Sequence, residues 1–149
     1  MKHEPALPPT YLFTALASMV LLNFFAPIAI VAERPWNAAG LVPLSLGMML
    51  NFSAGRTFTK YEIPIKAFEL PGKLITSGVY RYSRNPMYLG MVLITAGAAI
   101  LLGTLSPFII VPLFALALQM LFIAPEEKML AEHFGESWTQ YRKKVRRWL

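Results

Sequence analysis

Two stretches of this chain hold the groups that could do chemistry. Residues 78–90 read Gly-Val-Tyr-Arg-Tyr-Ser-Arg-Asn-Pro-Met-Tyr-Leu-Gly and set Tyr80, Arg84, Asn85 and Tyr88 at the mouth of a long uncharged segment. At the far end of that segment stands a paired carboxylate, Glu126-Glu127. Hydroxyl, amide and cationic donors opposite carboxylates suit a zwitterionic amino-acid ligand that carries an additional positive charge. Its carboxylate would meet the tyrosine, asparagine or backbone donors, and its ammonium a glutamate. S-adenosylmethionine has that form, with a sulfonium between its amino-acid end and its adenosine.

Each residue also has a purely structural use. Asn85 before Pro86 is a natural helix N-cap, because proline at the first helical position has no N–H to leave unpaired. Arg84 could snorkel to a membrane interface, and Tyr88 could be a belt aromatic. The glutamates are harder to explain this way. A carboxylate close to an apolar span costs up to ~3 kcal/mol, offset in part by a helix N-terminus and further by a cationic ligand. Neighbours at i and i+1 do not face one direction. One glutamate is therefore expected to look into a pocket while the other lies in solvent or pairs with Arg or Lys.

The elements that must position these groups are apolar helices. The chain has 149 residues, enough for one domain, and is 56% hydrophobic, above the usual range for a soluble domain. Uncharged runs cover 11–32, 36–55 and 85–125. A bilayer core about 30 Å thick takes roughly 20 helical residues, so the first two runs read as one span each. The third would be about 60 Å long as one helix, at about 1.5 Å per residue. It must fold back, and Gly103-Thr104-Leu105-Ser106-Pro107 supplies the turn chemistry. The expected fold is all-α: an integral membrane protein with four transmembrane helices near 11–32, 36–56, 86–102 and 107–124. The third and fourth form a hairpin.

Of the 14 Lys and Arg residues, Arg34 alone falls in the first or the third connection. The others flank the opposite helix ends, which the positive-inside rule places in the cytoplasm with both termini. The expected location is a bacterial or archaeal inner membrane, with the active site, the loop 60–85 and the tail 125–149 on the cytoplasmic face. The first run exceeds a 7–15-residue signal h-region, so a span rather than a cleaved signal is expected. With no cysteine, thiolate nucleophiles and Cys-type metal sites are excluded. His3 and His133 lie far apart, and no metal is expected. The net charge of +6 follows the membrane topology, which favours anionic lipid over nucleic acid as its partner.

The loop 60–85 is long for so small a domain, which marks it as functional. Gly40 and Gly47 would allow close helix packing. Beyond Pro125, 126–133 reads as a short helix stopped by Gly135. Residues 136–148 read as a second helix, with Trp138, Tyr141, Val145 and Trp148 among basic residues, lying on the membrane surface.

Three segments together carry a family resemblance: Leu74-Ile75-Thr76-Ser77-Gly78-Val79-Tyr80; Arg84-Asn85-Pro86-Met87-Tyr88; and Glu126-Glu127 followed by Leu130, Phe134-Gly135 and Tyr141. Over roughly 70–148 the chain resembles the isoprenylcysteine carboxyl methyltransferases, which are similar in turn to the phospholipid N-methyltransferases. The resemblance implies an integral-membrane methyltransferase that uses S-adenosylmethionine without a soluble Rossmann-type domain. It implies cofactor contacts from the backbone around Gly72, Lys73, Leu74 and Ile75, and from Tyr80, Asn85, Tyr88 and Glu126. A lipophilic acceptor would enter laterally between helices. Two positions depart from the prenylcysteine pattern. Asn85 stands where those enzymes have His, so no proton shuttle survives there. Phe122 stands where they carry Arg one turn before the first Glu, so a cation for a substrate carboxylate is missing at that place. Asn-Pro-Met-Tyr is closer to the phospholipid methyltransferase form.

The expected reaction is in-line displacement at the sulfonium methyl, driven by proximity and orientation in a site that excludes water. An amine or thiol acceptor must lose a proton, which Glu127 or a water could take; Arg84 and Glu127 are the candidate catalytic residues. The acceptor stays open among a phospholipid amine and an isoprenylcysteine-like carboxyl or thiol. Two other classes are compatible with the residues: a non-catalytic membrane interaction protein, and an NADPH-dependent reductase of sterol-reductase type. The reductase would need a 2′-phosphate site and usually more spans.

Overall fold

The computed structural model describes residues 7–61 and 71–149. Lys2, His3 and the 62–70 portion of the long loop, with its charges Glu62, Lys66 and Glu69, lie outside the described residues. Among the described residues all regular elements are helical, apart from an isolated bridge between Ile30 and Thr104.

Helix α1 (Pro8–Phe25) opens on Pro8-Pro9, whose fixed backbone suits the first turn. It stops at Phe25, short of the expected 32, because Pro27 disfavours helical backbone in the residue before it. The freed backbone finds partners on the turn between the third and fourth helices. Val31 N–H donates to the Gly103 carbonyl at 2.8 Å, Leu105 N–H donates to the Ala29 carbonyl at 2.8 Å, and the Ser106 hydroxyl donates to the Ala26 carbonyl. Thr104 Oγ1 donates to Asn23 Oδ1 at 2.7 Å. Polar backbone at this end is thereby satisfied within the protein, as a membrane requires.

A short 3₁₀ turn (Trp36–Gly40) leads into α2 (Leu41–Lys60), which packs along α3 (Pro86–Leu102). Glycines bring the two backbones together. A Cβ at Gly40 would lie 2.5 Å from the Gly97 carbonyl oxygen, and one at Gly47 would lie 2.5 Å from that of Gly90. Small residues at a helix crossing permit this approach. Helix α3 begins at Pro86, as expected, and ends at Gly103, whose φ of 82° is the left-handed stop that glycine adopts freely.

A 3₁₀ turn (Ser106–Ile109), α4 (Ile110–Leu118), a π turn (Gln119–Ile123) and α5 (Ala124–Phe134) form one unbroken helix. This corrects the expectation of a separate helix after Pro125. Proline inside a helix has no N–H and its ring clashes with the carbonyl four residues back; the wider π turn immediately before Pro125 accommodates both. After Gly135 (φ 51°) comes α6 (Glu136–Lys144). It ends at Val145 in extended backbone, well before the expected 148. Trp138, Tyr141 and Val145 are buried against Leu74, Leu130 and Phe134 rather than turned to lipid. Their stripe is a core face.

Among the described residues, three helices are long and apolar enough to cross a membrane: Pro8–Phe25, Trp36–Lys60 and Ser106–Phe134. Pro86–Leu102 is apolar but shorter, at 17 residues. Phe13, Phe24, Met49, Phe52, Leu113 and Met120 stand exposed on the long helices. Such faces would be a liability in water and suit lipid. Between helices the core joins Ala15, Met91, Phe114, Leu118 and Phe122.

Candidate functional site

The polar residues gather where the loop, the α3 N-terminus, α5 and the C-terminal tail meet. A 3₁₀ turn (Gly78–Arg81) follows the loop and buries Tyr80. Gly78 has a φ of 60°, the left-handed backbone that lets the chain double back there. Tyr141 on α6 donates its hydroxyl to the Tyr80 carbonyl at 2.7 Å, tying α6 to the turn. Burial pushes the Tyr141 phenol up to about 12, against an opposing pull from Arg84. Burial also raises the Tyr80 phenol, with Tyr141 and Glu126 acting in the same direction.

One turn into α3, Tyr88 donates its hydroxyl to Glu126 Oε1 at 2.8 Å. The Tyr88 ring stacks on Phe122, centroids 6.1 Å apart, and Phe122 meets Tyr11 edge-on at 5.2 Å. Phe122 is therefore a core aromatic that props the Tyr88–Glu126 pair. Its neighbour Glu127 turns the other way. Arg147 donates to Glu127 Oε2 from Nε at 3.1 Å and from Nη2 at 2.6 Å. Arg84 Nη2 lies 3.1 Å from Glu127 Oε1, with both side chains nine-tenths or more buried. The Arg84 guanidinium also sits over the Trp138 ring at 5.7 Å. Burial lowers its proton affinity, while Glu127 raises it.

The split between the two glutamates matches expectation: one faces Tyr88 and the other pairs with arginine. Arg84 and Glu127, the candidate catalytic residues, are held together in an ion pair. A carboxylate already engaged by two guanidinium groups is poorly placed to accept a proton, since its oxygens face cations. Arg84 is buried in that ion pair rather than snorkelling to an interface.

Asn85 occupies the N-cap position of α3, but its side chain makes no capping hydrogen bond. Its Nδ2 donates instead to the Arg147 carbonyl at 3.1 Å, and its backbone N–H donates to Ser83 Oγ at 3.1 Å. Ser83 Oγ donates to the Arg147 carbonyl at 3.3 Å, and Arg84 N–H donates to the Arg146 carbonyl at 3.0 Å. Trp148 Nε1 donates to Gln119 Oε1 in the π turn at 3.3 Å. The tail after α6 is thus built into the site. Sequence reasoning missed Ser83 and Arg147. Ser83 carried no pattern, and Arg147 stands in a basic run that reads as a membrane anchor.

A pocket of about 250 Å³ opens here, with Tyr80, Arg84, Asn85, Tyr88, Glu126 and Glu127 as its polar lining. Its other lining is apolar, from the start of α1 (Leu7, Pro8, Pro9), Phe58, Met87, Met91 and Leu130. A larger open groove of about 710 Å³ is lined by Gly72, Lys73, Leu74, Arg81, Tyr141 and Lys144 among others. The residues expected at the cofactor therefore divide. Tyr80, Asn85, Tyr88 and Glu126 share the pocket, and Gly72, Lys73 and Leu74 line the groove. Ile75 lines neither and is buried with Ala54 and Tyr80.

An acidic group beside a buried hydroxyl, next to apolar walls that reach helices α1 and α3, can hold a cationic ligand against a lipophilic one. The family model for phospholipid methyltransferases matches residues 35–137. The protein-S-isoprenylcysteine O-methyltransferase of Schizosaccharomyces pombe is 43% identical over 132 residues, covering 84% of this chain and 51% of that protein. Protein-S-isoprenylcysteine O-methyltransferase B of Arabidopsis thaliana is 33% identical over 143 residues, covering 88% of this chain and 70% of that protein. The chain spans about half the length of the first of these. The solved structure of a eukaryotic intramembrane Ras methyltransferase, an isoprenylcysteine carboxyl methyltransferase, superimposes with a TM-score of 0.64 at 23% identity. It covers 100% of this chain and 53% of that one, a likeness of fold. These relatives are eukaryotic, whereas a protein of the bacterium Haemophilus influenzae is 38% identical over 63 residues, covering 42% of this chain and 100% of that protein.

Proposed function

Because this chain belongs to the phospholipid methyltransferase family, we propose that it moves a methyl group from S-adenosylmethionine to a lipophilic acceptor held in the membrane. The observation that carries this reading is the Tyr88–Glu126 hydrogen bond at 2.8 Å inside a pocket whose remaining wall is mostly apolar. S-adenosylmethionine would supply an electrophilic methyl on a sulfonium, so the protein needs neither a nucleophile nor a metal. Glu126, held by Tyr88, sets a negative charge beside the positive end of such a ligand. Asn85 and Tyr80 add polar groups to the same lining. Pro9, Met87, Met91 and Leu130 keep water from the acceptor side, which strengthens each electrostatic contact.

The groove bordered by Gly72, Lys73 and Leu74 is the place left for the adenosine end, since the pocket is smaller than the roughly 300–1,000 Å³ of ordinary small-molecule sites. Arg84 and Glu127 hold the architecture of the pocket rather than move protons. An acceptor that must lose a proton would lose it to water before it enters the dry side of the pocket.

Helix α3, at 17 residues, lies at the lower end of what spans a bilayer, roughly 17–25 residues. With α3 as the third of four spans, the pocket, α5 and α6 sit together beneath the inner leaflet. The cytoplasmic assignment follows from 13 of 14 Lys and Arg residues flanking that face. The acceptor is a phospholipid amine or a prenylcysteine-like carboxyl or thiol, chemistries suited to a laterally open, apolar entrance.

Titration calorimetry of the full chain in nanodiscs with S-adenosylhomocysteine tests the reading: saturable binding is expected, and no heat in nanodiscs or detergent removes it. Transfer of labelled methyl from S-adenosylmethionine into a membrane lipid extract then identifies the acceptor class. A non-catalytic scaffold would label nothing.

A further inference from the structure

The ion cluster around Glu127 carries more positive charge than it balances. Arg84 and Arg147 face a single carboxylate, and their engagement with it is unequal. Arg147 places both Nε and Nη2 on Oε2 with hydrogen-bond geometry. Arg84 approaches Oε1 at 3.1 Å, yet Oε1 receives no aligned hydrogen bond, and Arg84 Nε has no acceptor among the described residues. The Arg84 side chain is only 7% exposed and lines the pocket. A buried guanidinium with an unmet donor is costly unless something else completes it. Glu126, the other acid in the lining, is bonded to Tyr88.

What leaves Arg84 in this condition is the tail. Arg147 comes from the extended segment after α6, which is pinned by its own carbonyl to Asn85 Nδ2 and Ser83 Oγ. Phe122 rules out a cation one turn before Glu126; the tail brings one to Glu127 from outside the helix. We propose that Arg147 is a positioning residue that occupies Glu127 so that Arg84 is left to bind a carboxylate in the pocket. The inference rests on the methyltransferase reading and deepens it by naming the ligand group. Two ligands could present that carboxylate: the methionine end of the cofactor, or an acceptor bearing a free carboxyl such as an S-prenylcysteine. Arg147 itself need not touch either.

The test measures binding to full-length wild type, Arg147→Gln and Arg147→Lys in nanodiscs. The probes are S-adenosylhomocysteine, its decarboxylated analogue, an S-prenylcysteine and its carboxamide. Without Arg147, Glu127 Oε2 is freed and Arg84 should engage both carboxylate oxygens, and affinity for a carboxylate-bearing probe should fall about ten- to a hundredfold, the scale of a charge-assisted hydrogen bond. Loss for S-adenosylhomocysteine but not its decarboxylated analogue assigns the carboxylate to the cofactor. Loss for the S-prenylcysteine but not its carboxamide assigns it to the acceptor. Arg147→Lys keeps the charge without the fork and should fall between; it is the variant to read where Arg147→Gln aggregates. Equal losses for acids and their carboxylate-free forms, or no loss at all, overturn the proposal while leaving the methyltransferase reading intact. Wild type that binds no S-adenosylhomocysteine removes both.

Discussion

Tyr88 and Glu126 form a contact that ties the start of α3 to the start of α5, and it is the pair most exposed to test. Tyr88→Phe keeps the ring on Phe122 and removes only the hydroxyl. S-adenosylhomocysteine affinity should fall about tenfold, as for a hydrogen bond to a charged group, with the melting temperature nearly unchanged. A loss of melting temperature without loss of affinity would mean that the pair serves the fold alone. Tyr141 makes a pH prediction. Its phenol is pushed up to about 12 by burial, so the fold favours the neutral form. The resulting stabilisation is complete below about pH 10, the ordinary tyrosine value, and fades as pH rises through 12. Thermal melts in detergent should show this fall between pH 10 and 12. Tyr141→Phe should flatten it in part, leaving the contribution of Tyr80, which shifts in the same direction.

The glycine seam between α2 and α3 and the π turn before α5 set the geometry at the next scale. Gly47→Ala would place a methyl 2.5 Å from the Gly90 carbonyl oxygen. Backbone cannot yield as a side chain can, and a destabilisation of about 1–3 kcal/mol is expected from such overpacking. Gly72→Ala, with nothing within 4 Å of the new Cβ, should be near neutral in the same unfolding assay. Pro125→Ala restores the missing N–H and lets the π turn relax to α-helix. Removing the extra residue of that turn would rotate Glu126 and Glu127 by about 100°, one residue's step on a helix. The melting temperature should rise while cofactor affinity falls; unchanged affinity would show that packing at Phe122, not Pro125, holds the turn.

For the whole molecule the decisive property is sidedness. The natural chain has no cysteine, so single introduced thiols report without background. Ala38→Cys, in the exposed turn ahead of α2, and Ser137→Cys, exposed on α6, should react with an impermeant maleimide from opposite sides of sealed vesicles. Labelling of both from one side would break the four-span arrangement and with it the common face for loop and tail. The family resemblance implied that Tyr80 and Glu126 contact one ligand, and both line the same pocket.

Much of this was written locally in the chain. Apolar run length marked the long helices, Pro86 and Gly103 bounded α3, and Gly135 separated α5 from α6, because each depends on a few neighbouring residues. The two polar motifs were legible for the same reason: tyrosine, arginine and paired glutamate beside uncharged runs are costly without a use. What the tertiary structure alone decided are the contacts between segments far apart in sequence. The tail carbonyls on Ser83 and Asn85, the fork of Arg147 on Glu127, and the facing of Gly40 with Gly97 leave no periodic trace. Asn85 shows the difference at one position. Its place at the head of a helix follows from Pro86, whereas the partner of its side chain depends on where a segment some sixty residues later comes to rest.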